Sequence, residues 1–195
     1  MNSAKIFTKV GDNGSTTFAG KHVPKSADCL ELCGTIDEAS SMLGLARSLG
    51  LDPWSNDVVQ SMQHALWTLS AELACQGFRK GCGTSERSSP TLTHDDVLAL
   101  EDAIDHAESD IKPLTSFVLP GGVQAAAALH VARAVVRRAE RRLVALSSVE
   151  TVRGEVLAYA NRASDLLFVL ARRTNHRAGI ADELCGSARS GEAPT

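Results

Sequence analysis

The sequence predicts an all-α fold, a five-helix bundle preceded by a glycine-rich amino-terminal arm. Three observations carry this expectation. Apolar residues recur at helical spacing in five separate stretches. Alanine and leucine abound while aromatic residues make up only 4% of the chain, a composition that favours helices. The connections are mostly short, as in a bundle, and no repeat of about 20–50 residues suggests a solenoid.

Taken in order, residues 1–25 hold Gly11, Gly14 and Gly20 with several Ser and Thr and Pro24, which reads as an ordered loop or short extended piece. From Asp28, the positions Cys29, Leu32, Cys33, Ile36, Ala39, Leu43 and Ala46 follow helical spacing up to Gly50. A second helix follows Pro53, with Val58, Val59, Met62, Leu66, Leu69 and Leu73 on one face and Gly77 as its stop. Residues 78–92 are rich in Gly and Ser without apolar period and form the longest internal loop. Thr93 with Asp96 resembles a capping box opening a third helix that ends before Pro113. FVLPGG, residues 117–122, breaks regular structure ahead of a fourth helix over 123–147, and a fifth runs from 150 to 176. One domain over 1–178 is expected, the arm occupying 1–25 and the bundle 28–178, with 179–195 a disordered tail.

The bulk numbers narrow the function. A formal net charge of −3 argues against a nonspecific nucleic-acid binder. The five cysteines, Cys29, Cys33, Cys75, Cys82 and Cys185, lack CxxC pairs and zinc spacing, so a reducing, cytoplasmic setting is expected. No signal sequence and no run approaching ~20 apolar residues is visible, which predicts a soluble protein.

The fourth helix, LHVARAVVRRAERRL from Leu129 to Leu143, is the most informative segment. At about 100° per residue, Ala132, Val135, Val136, Ala139, Leu143 and Leu146 form an apolar stripe. His130, Arg133, Arg137, Glu140 and Arg141 gather on the opposite side, with Arg138 and Arg142 on its flank. A solvated basic face is one reading. An anion site is the sharper one, because every cation here is Arg, whose planar fork suits phosphate oxygens. Glu140 sits where it could orient neighbouring arginines. The arm TKVGDNGSTT, residues 8–17, adds glycines whose backbone N–H groups can converge on an anion, hydroxyls on Ser15, Thr16 and Thr17, and the cations Lys9 and Lys25. It fits neither GxxxxGK[ST] nor GxGxxG, and taken alone such a glycine-bearing turn is more often structural.

Four segments in order, TKVGDNGSTTFAGKHVPK, GTIDEASSMLGLAR, FVLPGGVQAAAALHVARAVVRRAERRLVAL and YANRASDLLFVLARRTNH, resemble the motifs of PduO-type ATP:cobalamin (corrinoid) adenosyltransferases. The resemblance implies a cobalamin adenosyltransferase-like bundle assembled as a homotrimer, with each active site between subunits. It implies transfer of the 5′-deoxyadenosyl group of ATP onto Co(I) of cobalamin, with Mg2+ helping to hold the phosphates and triphosphate as the leaving group. ATP contacts are carried onto Thr8, Lys9, Val10, Gly11, Ser15, Thr16 and Lys25 of the arm, and onto Arg137, Arg138, Glu140, Arg141 and Asn161. At the reacting centre it places Arg137, an ion pair of Arg133 with Asp37 that joins two subunits, and Phe117, which packs near the corrin and keeps the lower axial base away. No protein metal site is implied, and onward delivery of product to an adenosylcobalamin-dependent enzyme is left open.

The residue chemistry agrees with such a reaction. A nucleophile supplied by the cofactor needs no Ser, Cys or His triad, and none is visible. The protein must supply alignment and positive charge along a leaving group that gains negative charge. Departures from the pattern fall at His22 and Cys33, where family members often carry Arg. His64, His94, His106 and His176 lack partners at metal-binding intervals, and no Glu-x-x-His supports a di-iron bundle. Cys29 and Cys33 read as small core residues. Two other classes stand beside the enzyme: a noncatalytic carrier or sensor of ATP or adenosylcobalamin, which would bind without turnover, and a nucleic-acid binder, against which Glu140 and the net charge speak.

Overall fold

A computed structural model describes residues 7, 9–18, 20–76 and 90–185. A short antiparallel hairpin, β1 (Ser15–Phe18) and β2 (Lys21–Pro24), precedes five helices: α1 (Asp28–Ser48), α2 (Pro53–Gln76), α3 (His94–Ser109), α4 (Gln124–Ser147) and α5 (Gly154–Arg177). The fold is the expected five-helix bundle. The arm is more regular than its composition foretold: Ser15 pairs with Pro24 and Phe18 with Lys21, and Gly20, at φ 72°, turns the chain between the strands.

Local chemistry explains where the helices begin. Pro53 stands at the first position of α2, where its missing N–H costs nothing, and Asp52 Oδ1 accepts from Ser55 N at 3.4 Å. The capping box of α3 is present, with Asp96 N donating to Thr93 Oγ1 at 3.3 Å and Thr93 N to Asp96 Oδ2 at 2.7 Å. The start of α5 is later than the sequence reading placed it. Residues 148–153 are taken up by the connection from α4, closed by bonds from Ser148 N and Glu150 N to Ala145 O and Leu146 O, and Gly154 is the first helical residue.

In the bundle α4 is central, packed on α1 and on α5, while α3 lies against α5 and α2 against α1. The expected stripe of α4 is in the core: Ala132, Val135, Val136, Ala139 and Leu143 are buried and Leu146 is half-buried. They meet Leu32, Ile36 and Leu43 of α1 and Leu166, Leu167 and Leu170 of α5 in one cluster. Each such leucine stabilises the fold by about 1.5–3 kcal/mol through burial.

Of the expected 78–92 loop, residues 78–89 lie outside the described residues, but its end is firmly anchored. Leu92 is buried in the core, its N–H donates to Glu72 Oε2 at 3.2 Å, and the buried Glu72 carboxylate takes Arg153 Nε at 2.7 Å and Nη2 at 2.9 Å. That clip fixes how the chain enters α3. The carboxyl-terminal segment departs from expectation too. Residues 179–185, assigned to a disordered tail, return to α5 and the FVLPGG segment, where Val118 and Leu184 form an antiparallel bridge. Residues 186–195 lie outside the described residues.

Candidate functional site

The arm is shaped by bonds within itself. Asp12 N donates to Lys9 O and Gly14 N to Gly11 O, each at 3.3 Å, giving two successive turns, and Lys25 N closes the hairpin onto Gly14 O at 2.9 Å. Ser15 N and Oγ both donate to Asn13 Oδ1, at 3.1 and 2.6 Å. At Gly11 the chain and Lys25 approach closely: a Cβ there would stand 3.0 Å from Lys25 Nζ, so the ammonium group lies over bare backbone and would shift for a larger residue. Lys9 is held at φ 62°, uncommon for a residue with a side chain and the kind of local strain found at ligand clamps. The sequence-assigned residues Lys9, Gly11, Ser15 and Lys25 are thus brought together, with Thr16 on β1 and Val10 exposed beside them. Thr8 lies outside the described residues.

The second group sits on α4 and α5. Arg137 and Arg141 are exposed, and no ion pair among the described residues engages either. Arg138 pairs with Glu38 of α1, and Arg142 Nη2 lies 2.9 Å from Glu31 Oε1, so both flanking arginines are tied to the neighbouring helix. Glu140 does something other than orient arginines. It accepts from Asn161 Nδ2 at 3.0 Å, Asn161 Oδ1 accepts from Arg162 Nη1 at 2.8 Å, and Arg162 Nε meets Glu101 Oε1 at 2.9 Å. The chain of bonds from α4 through α5 to α3 fixes the Asn161 amide, and Arg162 and Glu101 are members that the sequence reading missed.

Arg133 is half-buried with its guanidinium 5.7 Å over the Phe168 ring. Burial, and then the neighbouring Arg137, lower its pKa from the ordinary value, so an anion or a carboxylate facing it would be strongly favoured. Asp37 is exposed on α1, and no ion pair among the described residues joins it to Arg133. The grouping of His130 with the charged face is corrected by the structure. It is 4% exposed, its ring 6.1 Å from Phe168, and neither ring nitrogen has a hydrogen-bond partner. Burial first, then Arg133, push its pKa down, against a smaller opposite effect of Asp182. Helical spacing puts His130 within the arc, but at the amino-terminal end of α4 Phe168 of α5 packs over its ring.

Phe117, by contrast, is 85% exposed on the segment between α3 and α4. Core packing, the ordinary explanation for a phenylalanine, does not apply. Its backbone is pinned: Cys185 N donates to Phe117 O at 2.7 Å and Leu119 N to Glu183 O at 2.8 Å. The two departures are unremarkable in charge terms, His22 lying on β2 and Cys33 half-buried on α1. Burial and then Cys29 push the Cys33 thiol up to about 11, which leaves it protonated and inert at neutral pH. Of the isolated histidines, His106 packs tilted against Trp54, with centroids 4.3 Å apart and the rings at 44°. No cluster of three or more His, Cys, Asp or Glu suited to a metal ion occurs among the described residues. Nor is any described helix long and apolar enough to cross a membrane.

Comparison with known proteins is consistent across three kinds of relative. The family described as cobalamin adenosyltransferase matches residues 6–174. A corrinoid adenosyltransferase of Bacillus subtilis is 40% identical over 182 residues, covering 91% of this chain and 90% of that protein. The corrinoid adenosyltransferase PduO of Citrobacter freundii is 40% identical over 177 residues, covering 89% of this chain but only 50% of its own length, so the chain spans about half of that relative. Among solved structures, a phenylalanine-to-histidine variant of a PduO-type ATP:corrinoid adenosyltransferase from Lactobacillus reuteri, complexed with cobalamin and ATP, superimposes with a TM-score of 0.81 at 31% identity, covering 94% of this chain and 97% of that one. Matched by the family over residues 6–174 and 40% identical to a relative that it covers almost end to end, this chain belongs to the cobalamin adenosyltransferase family.

Proposed function

We propose that this chain transfers the 5′-deoxyadenosyl group of ATP to the cobalt of reduced cobalamin. The observation that carries the reading is the pair of exposed arginines, Arg137 and Arg141, without ion-pair partners among the described residues and set beside the fixed Glu140–Asn161 pair in a chain of this family. A cobalt–carbon bond forms at C5′ of the ribose and the C5′–O bond breaks, its electron pair leaving with triphosphate. Positive charge along the departing oxygens lowers that barrier, and a pre-formed cationic face does so without reorganisation. Lys9, Lys25 and the hydroxyls of Ser15 and Thr16 hold the phosphates from the arm, with Gly11 letting backbone and ammonium approach together. Arg137 and Arg141 take the far side, and Arg138, released from or shared with Glu38, adds to them.

Magnesium bound to polyphosphate keeps most of its shell as phosphate oxygen and water and needs only one or two carboxylates. Asp12 in the arm and Glu140 on α4 are of the right type to serve it.

Assembly follows from the same surfaces. The outer side of α4 shows Val131, Ala134, Arg137, Arg141 and Val144 in exposed succession, an apolar-edged stripe. Together with exposed Asp37 and half-buried Arg133 it supports a homotrimer in which the arm of one subunit meets the α4 face of the next. The free cysteines Cys29, Cys33 and Cys185 suit a reducing, cytoplasmic compartment.

The test is a spectrum followed by a product assay. Protein with ATP, magnesium and Co(II)alamin should give the band of the four-coordinate form, and reduction should then give adenosylcobalamin and triphosphate in equal amounts. Binding of both ligands with no product after reduction would identify a carrier instead.

A further inference from the structure

Phe117 presents an apolar ring to solvent, and a set of polar contacts, two of them from buried side chains, keeps its backbone in place. Three bonds tie residues 116–119 to 183–185: Cys185 N to Phe117 O at 2.7 Å, Leu119 N to Glu183 O at 2.8 Å, and Ser116 Oγ to Cys185 O at 3.1 Å. Such a two-stranded ribbon is marginal by itself. Two side chains of α5, one turn apart and both almost wholly buried, hold it from beneath. Arg172, 6% exposed, donates from Nη2 to Lys112 O at 2.8 Å and from Nε to Asp182 Oδ2 at 2.7 Å, so a single guanidinium grips the chain entering the ribbon and the chain returning to it. Asn175, 4% exposed, donates from Nδ2 to Gly121 O at 3.0 Å and accepts from Val123 N at 3.0 Å, gripping the far end. Gly122 between those contacts has φ 101°, and a Cβ on it would lie 2.0 Å from Asn175 Oδ1, so only glycine allows the amide to dock.

We infer that Arg172 and Asn175 are positioning residues for the corrinoid half of the reaction: they fix the Phe117 ribbon at both ends and so set where its ring meets the corrin. This rests on the function proposed above. α5 also carries Asn161, about 21 Å away along the helix axis from Asn175 at 1.5 Å per residue. One rigid helix therefore links the phosphate end of the site to the mount of Phe117, and the two ends are separable by mutation. In the proposed site the phosphates meet the arm and α4 rather than the ribbon, while alignment at cobalt is sensitive to shifts of an ångström.

The experiment uses the full chain with Asp182→Ala, Asn175→Ala and the conservative Asn175→Asp, which keeps an acceptor for Val123 N. Asp182 is half-buried and holds the returning chain to Arg172, whose bond to Lys112 O remains when Asp182 is removed, and an unfolding curve establishes that the variant is folded before its activity is read. Calorimetric ATP affinity should stay within about twofold of the parent protein. The four-coordinate Co(II)alamin band and kcat should fall by about tenfold or more, with Asn175→Asp between Asn175→Ala and the parent. A folded Asp182→Ala protein with an undiminished band and kcat overturns the inference, as does a parallel loss of ATP affinity, which marks a general structural role. If the parent protein itself gives neither band nor product, the proposed function falls and this inference with it. An active parent with unchanged variants removes the inference alone.

Discussion

Arginines of α4 and of α5 stand in similar runs, RRAERR and ARRTNH, and do opposite work. Arg137 and Arg141 project to solvent without ion-pair partners among the described residues. Arg173 is 3% exposed and firmly held: Nε donates to Asp110 Oδ2 at 2.7 Å, Nη1 to Asp52 Oδ2 at 2.8 Å and to Ser55 Oγ at 2.9 Å, and its guanidinium lies 4.7 Å over Trp54. It ties the start of α2 and the end of α3 to α5. The Arg173 bond is the main reason the Asp110 pKa falls below its ordinary value. At Asp52, burial pulls upward, but the Ser55 bonds and the Arg173 charge outweigh it. A buried arginine tied to carboxylates from two other elements is a structural fastener. One with its fork empty is available to a ligand, and that difference separates the site from the scaffold.

Arg173→Ala tests the contrast most severely, since it strands Asp52 and the buried Ser55. We expect a loss of about 2–5 kcal/mol in urea unfolding, chiefly from emptying the buried volume of the Arg173 side chain beside Trp54 and leaving buried Ser55 unsatisfied. The deficit should shrink at acid pH. Carboxylates with depressed folded pKa values contribute above their unfolded value near 4 and lose that contribution as pH falls through the folded value, so the parent protein gives up the same interaction. An unchanged unfolding midpoint at neutral pH would show that Arg173 is not the fastener its bonds imply.

Arg137→Ala is the mirror case. Its unfolding curve should match that of the parent protein, while kcat drops about 10²–10³-fold, the typical effect of deleting a transition-state donor. A stability loss with normal turnover would reverse the division drawn here.

The smallest effect is expected at His130, which belongs to neither class. Its neighbours are Arg133, Asp182 and the Phe168 ring, over which Arg172 also lies at 5.9 Å. With its folded pKa below 6.5, the unfolded chain takes up the proton first, so the contribution is present above 6.5 and is lost as pH falls toward the folded value. Melting followed from pH 7 to 5 should slope less in His130→Gln than in the parent protein. Equal slopes would mean that His130 titrates alike in both states.

Much of the fold was legible because the signals are local. The five apolar periods, the Thr93–Asp96 box and Pro53 each act within a few residues, and each marks a helix where one is found. The late start of α5 was not legible, because the Glu72–Arg153 clip that precedes it spans 81 positions of sequence. The site divides in the same way. The arm's turns and the Arg137–Arg141 arc follow from spacing. The burial of His130 depends on how α5 closes over α4, and the exposure of Phe117 on how the segment after α5 comes back to pair with it.

By itself the sequence determined the class of the fold, the composition of the anion-binding arm and the arc of arginines on α4, since all three are set by residue type and helical angle. Only the tertiary structure decided which arginines are free. That choice turns on carboxylates distant in the chain: Glu38 and Glu31 engage Arg138 and Arg142, Asp182 engages Arg172, and Asp52 with Asp110 engages Arg173, while no such carboxylate reaches Arg137 or Arg141 among the described residues. A guanidinium carries the same charge wherever it sits. Its function is settled by whether the folded chain has already filled its fork.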